Sequence, residues 1–204
     1  MINFSPDFSL FKLKEISYFI VQFSIPSFIL NPPTISLLYS AALNGFSIRQ
    51  MEHFLIGYPG CTLMHISVYS ELLKKSLSFA IFMEEKWKTS KNYIGNSNTK
   101  LYMLEPWIEV YRVTGSALNC VLWSETLGGS PKSPRFSLSF DLQSGFFNNS
   151  SCKDNTFESS NFLDSDIAFM VDDIEVYGFS GEIGLQAWKR EKILIKKFLN
   201  KDKM

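Results

Sequence analysis

Only three cysteines and two histidines occur in the 204 residues, and their placing removes several chemistries at once. Cys61, Cys120 and Cys152 are widely spaced and form no CxxC pair. A sparse, odd count fits a reducing compartment better than a disulfide framework. His53 and His65 have no cysteine or carboxylate nearby at ligand spacing. Zinc needs three or four converging ligands, so both read as structural histidines and no metal is expected. GxSxG, HExxH and GxxxxGK[ST] are absent, and Gly128-Gly129 lacks the downstream lysine of a phosphate cradle. Long apolar runs are missing too. The stretch from Ile16 to Leu30 is broken by Ser17, Gln22, Ser24, Pro26 and Ser27, well short of the ~18 apolar residues that span a bilayer. The N-terminus has no basic region and carries Asp7 where a signal peptide has no acid. The triplets at Asn148 and Asn149 match a glycosylation acceptor but carry no weight without a secretory route. These absences point to a soluble cytosolic chain with no integral membrane segment.

What the chain has in quantity is core material. Hydrophobic residues make up 46% and aromatics 15%, with 19 phenylalanines. Lysine and arginine balance aspartate and glutamate at 20 each, but unevenly. Between Asp154 and Glu182 lie eight acids and no base, whereas Ala187 to Met204 holds seven bases against Glu191 and Asp202. An acidic body therefore carries a basic tail, which reads either as two solvated faces or as a helix that docks on an acidic partner.

Three regions follow. Residues 1–33 form an aromatic-rich leader ending in Asn31-Pro32-Pro33, with an amphipathic pattern from Phe8 to Phe23, and are expected to pack on the domain that follows. Residues 34–180 form the domain. Its opening apolar run Ile35 to Ser40 is followed by Asn44-Gly45, and Ser47 is placed to cap a short helix through His53 and Phe54. After the Tyr58-Pro59-Gly60 turn, strands are predicted at Cys61–Tyr69, Ser76–Met83, Lys100–Leu104, Ile108–Val113, Asn119–Trp123, Arg135–Leu142 and Phe169–Tyr177. Thr62 to Val68 alternates only loosely, as a strand buried on both faces does. Phe136, Leu138 and Phe140 alternate with Ser137, Ser139 and Asp141 in a half-buried pattern. Short strands divided by Gly, Asn and Pro predict a mainly β (α+β) fold, a two-sheet antiparallel β-sandwich with short peripheral helices. Residues 181–204 predict a basic amphipathic C-terminal helix, with Leu185, Trp188, Leu194, Ile195, Phe198 and Leu199 at helical spacings.

Seven short blocks stand in order across residues 35–180. They are Leu37-Leu38-Tyr39-Ser40 with Gly45-Phe46-Ser47; Tyr58-Pro59-Gly60-Cys61-Thr62-Leu63; Trp87-Lys88 with Tyr93-Ile94-Gly95; Val110-Tyr111 with Thr114-Gly115; Asp141-Leu142 with Gly145; Thr156-Phe157; and Glu175-Val176-Tyr177-Gly178-Phe179. Together they resemble the TLDc domain of the oxidation-resistance family. Ser139 stands where that pattern has an acid, Cys61 where it has proline and Tyr177 where it has tryptophan. The resemblance implies a non-catalytic β-sandwich of the cytoplasm, without cofactor or nucleic acid. It further implies protection against oxidative stress and binding of the V-ATPase at a vacuolar or lysosomal membrane.

The C-terminal helix is similar to the tryptophan-bearing basic helix of the mTOR-associated members. Trp188 reads as an anchor, with Lys189, Arg190, Lys192 and Lys196 steering it to an acidic protein surface; the bland alternative packs the helix back on its own domain. Asp172, Asp173 and Glu175 fall on a strand where Asp173 and Glu175 share a side, and they read as a solvated, partner-facing sheet face. Cys152, in a polar run, is the candidate redox thiol, and a thiol-based antioxidant enzyme or redox sensor is the alternative function. Lys153 favours its thiolate and Asp154 opposes it.

Overall fold

The computed structural model describes residues 35–88, 94–113, 120–121, 126–127, 134–149, 157–158, 165–181, 184–190 and 192–193. The leader 1–33, Cys152 and Lys196 lie outside the described residues. The elements run β1 (Ser36–Ser40), α1 (Ala41–Asn44), α2 (Ile48–Leu55), β2 (Thr62–Ser70), β3 (Lys75–Met83), β4 (Lys100–Glu105), β5 (Glu109–Tyr111), β6 (Cys120–Val121), β7 (Thr126–Leu127), β8 (Phe136–Leu138), β9 (Ser144–Phe147) and β10 (Ile167–Gly178). All strand pairs are antiparallel, in the order β5-β4-β3-β2-β10-β9-β8-β7-β6, with β1 also on β10.

The fold is mainly β, and hydrogen bonding is continuous where two separate sheets were expected. The cause is the length of β10. One of its edges pairs with β2, while the other is shared end to end by β9 at Ile167–Met170 and β1 at Glu175–Gly178. The strand thus belongs to both arms of a sheet that curls back on itself. Phe79 on β3 lies 5.4–5.7 Å, centroid to centroid, from Phe136, Phe147 and Phe169. Tyr111 on β5 lies 5.4 Å from Phe147. Such rings meet only because the two arms face each other across one interior. Each buried phenylalanine contributes roughly 1.5–3 kcal/mol, and each aromatic pair about 0.5–1.5 kcal/mol more.

A bulge sets which side chains enter that interior. The register of β10 against β2 shifts between Val171 and Asp173. Ile167, Phe169 and Val171 pack in the main core before it, Ile174 and Val176 after it. One extra residue flips the parity and keeps both halves of the strand facing the same core. The opposite face changes character at the same point. Ala168, Met170 and Asp172 are exposed, whereas Asp173, Glu175 and Tyr177 are buried. There Leu63, Ala80, Phe82, Tyr102, Leu104, Tyr177 and Phe179 form a second cluster contributed by strands and their immediate continuations. β2 is accordingly buried on both faces, as its loose alternation predicts.

Two local expectations differ. The strand predicted over Arg135–Leu142 stops at Leu138, and the chain turns back into β9, which was not predicted. The Ser139 hydroxyl donates to the Asp141 carboxylate and accepts the backbone N–H groups of Gln143 and Ser144. Leu142 takes a left-handed φ of 57°. This turn chemistry overrides the alternation, so Phe140 sits exposed at the hairpin tip, under the Arg49 guanidinium at 5.8 Å. At α2, Ser47 is the N-cap residue by position, with extended backbone, but its side chain makes no cap bond. That helix is held by burial of Ile48, Met51 and Leu55 on one face.

Candidate interaction surface

The basic helix is placed by the Tyr58 turn. The Tyr58 hydroxyl accepts the Ser180 N–H at 2.8 Å, and its ring occupies the space that a Cβ at Gly178 would fill. Residues 184–190 are helical, with Leu185 and Trp188 in the main core. Trp188 is 7% exposed and meets Tyr58 edge-on at 5.7 Å. The Lys192 ammonium lies 4.4 Å from the centroid of the Trp188 ring and 5.8 Å from that of Phe54 on α2. Both residues therefore spend their contacts inside the domain. Lys189 and Arg190 point to solvent, with Ile193 exposed near them. Among the described residues, the indole N–H of Trp188 has no hydrogen-bond acceptor.

The three acids of β10 separate. Asp172 is exposed at the bulge, but Asp173 is 8% and Glu175 3% exposed. The solvated-face reading is corrected for these two: β2 pairs with both, β1 also pairs with Glu175, and the second cluster lies on the same face through Tyr177. Asp173 and Glu175 do share a side, as alternation required. Glu175 accepts the Tyr177 hydroxyl at 2.6 Å and is paired in register with His65, whose Nε2 lies 2.7 Å from the Ser78 hydroxyl. Asp173 accepts the N–H of Ile174 at 3.0 Å. Each buried polar group so placed avoids a cost of about 1–3 kcal/mol for being left unbonded.

His53 lies edge-on to Phe54 at 5.6 Å. Among the described residues, no group of three His, Cys, Asp or Glu side chains converges as metal ligands. Cys61 is a half-buried free thiol whose pKa is pushed up by burial and then by the Glu84 carboxylate, which disfavours thiolate chemistry. No described helix is long and apolar enough to cross a membrane.

A second surface was missed at the level of sequence. The outward sides of β8, β9 and β10, with the end of β2, form an open groove of about 420 Å³. Two cross-strand rows line it, Ser137–Phe146–Ala168 and Ser144–Met170–Tyr69. Phe146 is 48% and Met170 51% exposed. The signal in the sequence was the run Gly145-Phe146-Phe147, in which adjacent phenylalanines on one strand must point to opposite faces.

A family model described as "TLDc domain" matches residues 8–180, a span that takes in most of the leader. The chain is also similar to Restriction of telomere capping protein 5 of Saccharomyces cerevisiae. Identity is 27% over 146 residues, covering 57% of this chain and 25% of the relative, with the same values in strains YJM789 and RM11-1a. The chain thus spans about a quarter of the length of those curated relatives. With that match running through the Tyr58 turn, the curled sheet and the end of β10, the chain belongs to the TLDc domain family.

Proposed function

We propose that this chain is a non-catalytic interaction module that binds the V-ATPase, regulates its assembly or activity, and so contributes to oxidative-stress resistance from the cytoplasmic side of a vacuolar or lysosomal membrane. The observation that carries the reading is the fixed placing of Lys189 and Arg190. Trp188 and Leu185 anchor their helix in the core, so two cations are held outward on a rigid support. A pre-ordered charged face loses little conformational freedom on binding, and it steers association with an acidic partner. In the same reading the two arms of the curled sheet are the two leaves of a β-sandwich, and the chain works as a monomer.

The test is a pull-down with the full chain on detergent-solubilised vacuolar or lysosomal membranes. V-ATPase subunits are expected with the wild type and lost with Lys189→Glu/Arg190→Glu. Failure of the wild type to recover any subunit sinks the proposal. Because no thiol chemistry is invoked, Cys152→Ser is expected to leave peroxide protection of cells unchanged.

A further inference from the structure

The groove across β8, β9, β10 and β2 lies on different elements from the C-terminal helix, and it has the opposite charge. Its surface is mostly apolar, with serines between: Phe146 and Met170 stand half exposed beside Leu138 and the ring of Tyr69. Two half-exposed apolar side chains side by side offer a seat for an apolar side chain of a partner. The charge around them is negative. Glu71 lines the groove and is exposed, Asp172 occupies the next outward position along β10 after Met170, and Asp141 is exposed at the tip of the β8–β9 hairpin. No lysine or arginine is among the described lining residues.

Three described bases stand on elements around it. Lys75 has the parity of Leu77 and Phe79, so its Cβ leaves the opposite side of the sheet. Arg49 lies over the Phe140 ring, and Lys74 shares the β2–β3 turn with Glu71 but is not among the described lining residues. Along the chain the imbalance is wider still, since Asp154 to Glu182 carries eight acids and no base.

We infer that this groove is a second docking site, which takes a short basic amphipathic segment of a protein partner. One or two large apolar side chains of the segment rest between Phe146 and Met170, and flanking lysines or arginines meet Glu71, Asp141 and Asp172. An anionic lipid surface is the wrong occupant, because its headgroups would face those same carboxylates. An acidic peptide is wrong for the same reason.

The experiment uses the full chain and three fluorescein-labelled peptides, Lys-Lys-Phe-Leu-Lys-Lys, Lys-Arg-Trp-Leu-Arg-Lys and Glu-Glu-Phe-Leu-Glu-Glu, followed by anisotropy. The two basic peptides are expected to bind saturably and more weakly as salt rises, and the acidic one not at all. Phe146→Ser/Met170→Ser should weaken binding at least tenfold. Glu71→Lys/Asp172→Lys should do the same and allow the acidic peptide to bind. All four positions are exposed, so the thermal unfolding midpoint is expected to stay put, which separates a lost site from a lost fold. The inference is overturned if neither basic peptide binds at millimolar protein, if the groove variants bind them unchanged, or if phosphatidylserine vesicles bind the wild type through Phe146 and Met170. Lys189→Glu/Arg190→Glu is expected to leave peptide binding intact. This site and the V-ATPase reading therefore stand or fall separately.

Discussion

The rings of Tyr58 and Trp188 meet edge-on, 5.7 Å apart with 85° between their planes, and through this contact the basic helix is joined to the end of β10. Tyr58 reaches both at once: its hydroxyl holds Ser180, its ring fills the place left by Gly178, and its edge receives the indole. The helix is an extension of the sheet's core.

Trp188→Ala removes that contact and leaves a void beside Tyr58. The expected cost is about 3–5 kcal/mol, read as a lower urea midpoint. Amide exchange should rise most at 184–190. Lys192→Met keeps the apolar stem and removes the cation over Trp188 and Phe54, for a loss of about 1 kcal/mol. Unchanged exchange in both variants would show that the helix is held elsewhere.

Gly178→Ala sets a methyl group against the Tyr58 ring. The substitution is expected to cost about 2–3 kcal/mol as overpacking. In a Tyr58→Ala background the same change should cost far less, since the ring is gone. A double-mutant cycle on unfolding free energies checks it; additive costs would refute the steric account.

Tyr177→Phe deletes the hydroxyl that donates to Glu175 and leaves a carboxylate oxygen buried with one donor fewer. The expected loss is about 1–3 kcal/mol. Tyr177→Phe with Glu175→Gln should recover part of it, because a neutral amide is cheaper to bury than a carboxylate. Urea unfolding of the two variants decides.

Glu52 on α2 has its carboxyl pKa raised by burial, with Arg49 pulling the other way, and its Oε1 accepts no hydrogen bond among the described residues. The fold therefore prefers the protonated acid. A raised folded value means a stabilising contribution that is full below the unfolded value near 4.5 and lost as pH rises through the folded one. Glu52→Gln should remove that decline, so variant minus wild-type stability grows from pH 4 towards neutrality. Parallel unfolding curves across that range would contradict the assignment.

Cys61 offers a chemical check. With its thiol pKa raised, site-resolved alkylation by iodoacetamide at pH 8 is expected to run several-fold slower than that of a free cysteine peptide. Equal rates would mean that the desolvation is not felt at the sulfur.

Local chemistry was legible in the residues. Turn signals at Tyr58-Pro59-Gly60, alternation at Phe136 to Leu138 and apolar spacing at Leu185 and Trp188 each act over a few neighbours, so β2, β3 and β4 lie nearly where expected, β8 starts where expected but stops short, and residues 184–190 are helical as expected. The apolar positions of β10 could be read as well. Its bulge could not, because an extra residue becomes visible only against a partner strand.

What tertiary structure alone decided is which faces are covered. Asp173 and Glu175 look like solvent acids until β2 pairs with both and β1 with Glu175, and Phe146 is turned outward by the β8–β9 hairpin. Sequence determined the family and most of the long strands, though not the turn into β9. Burial depends on strands brought together from distant parts of the chain, and the sharing of β10 between two arms of one sheet settled it.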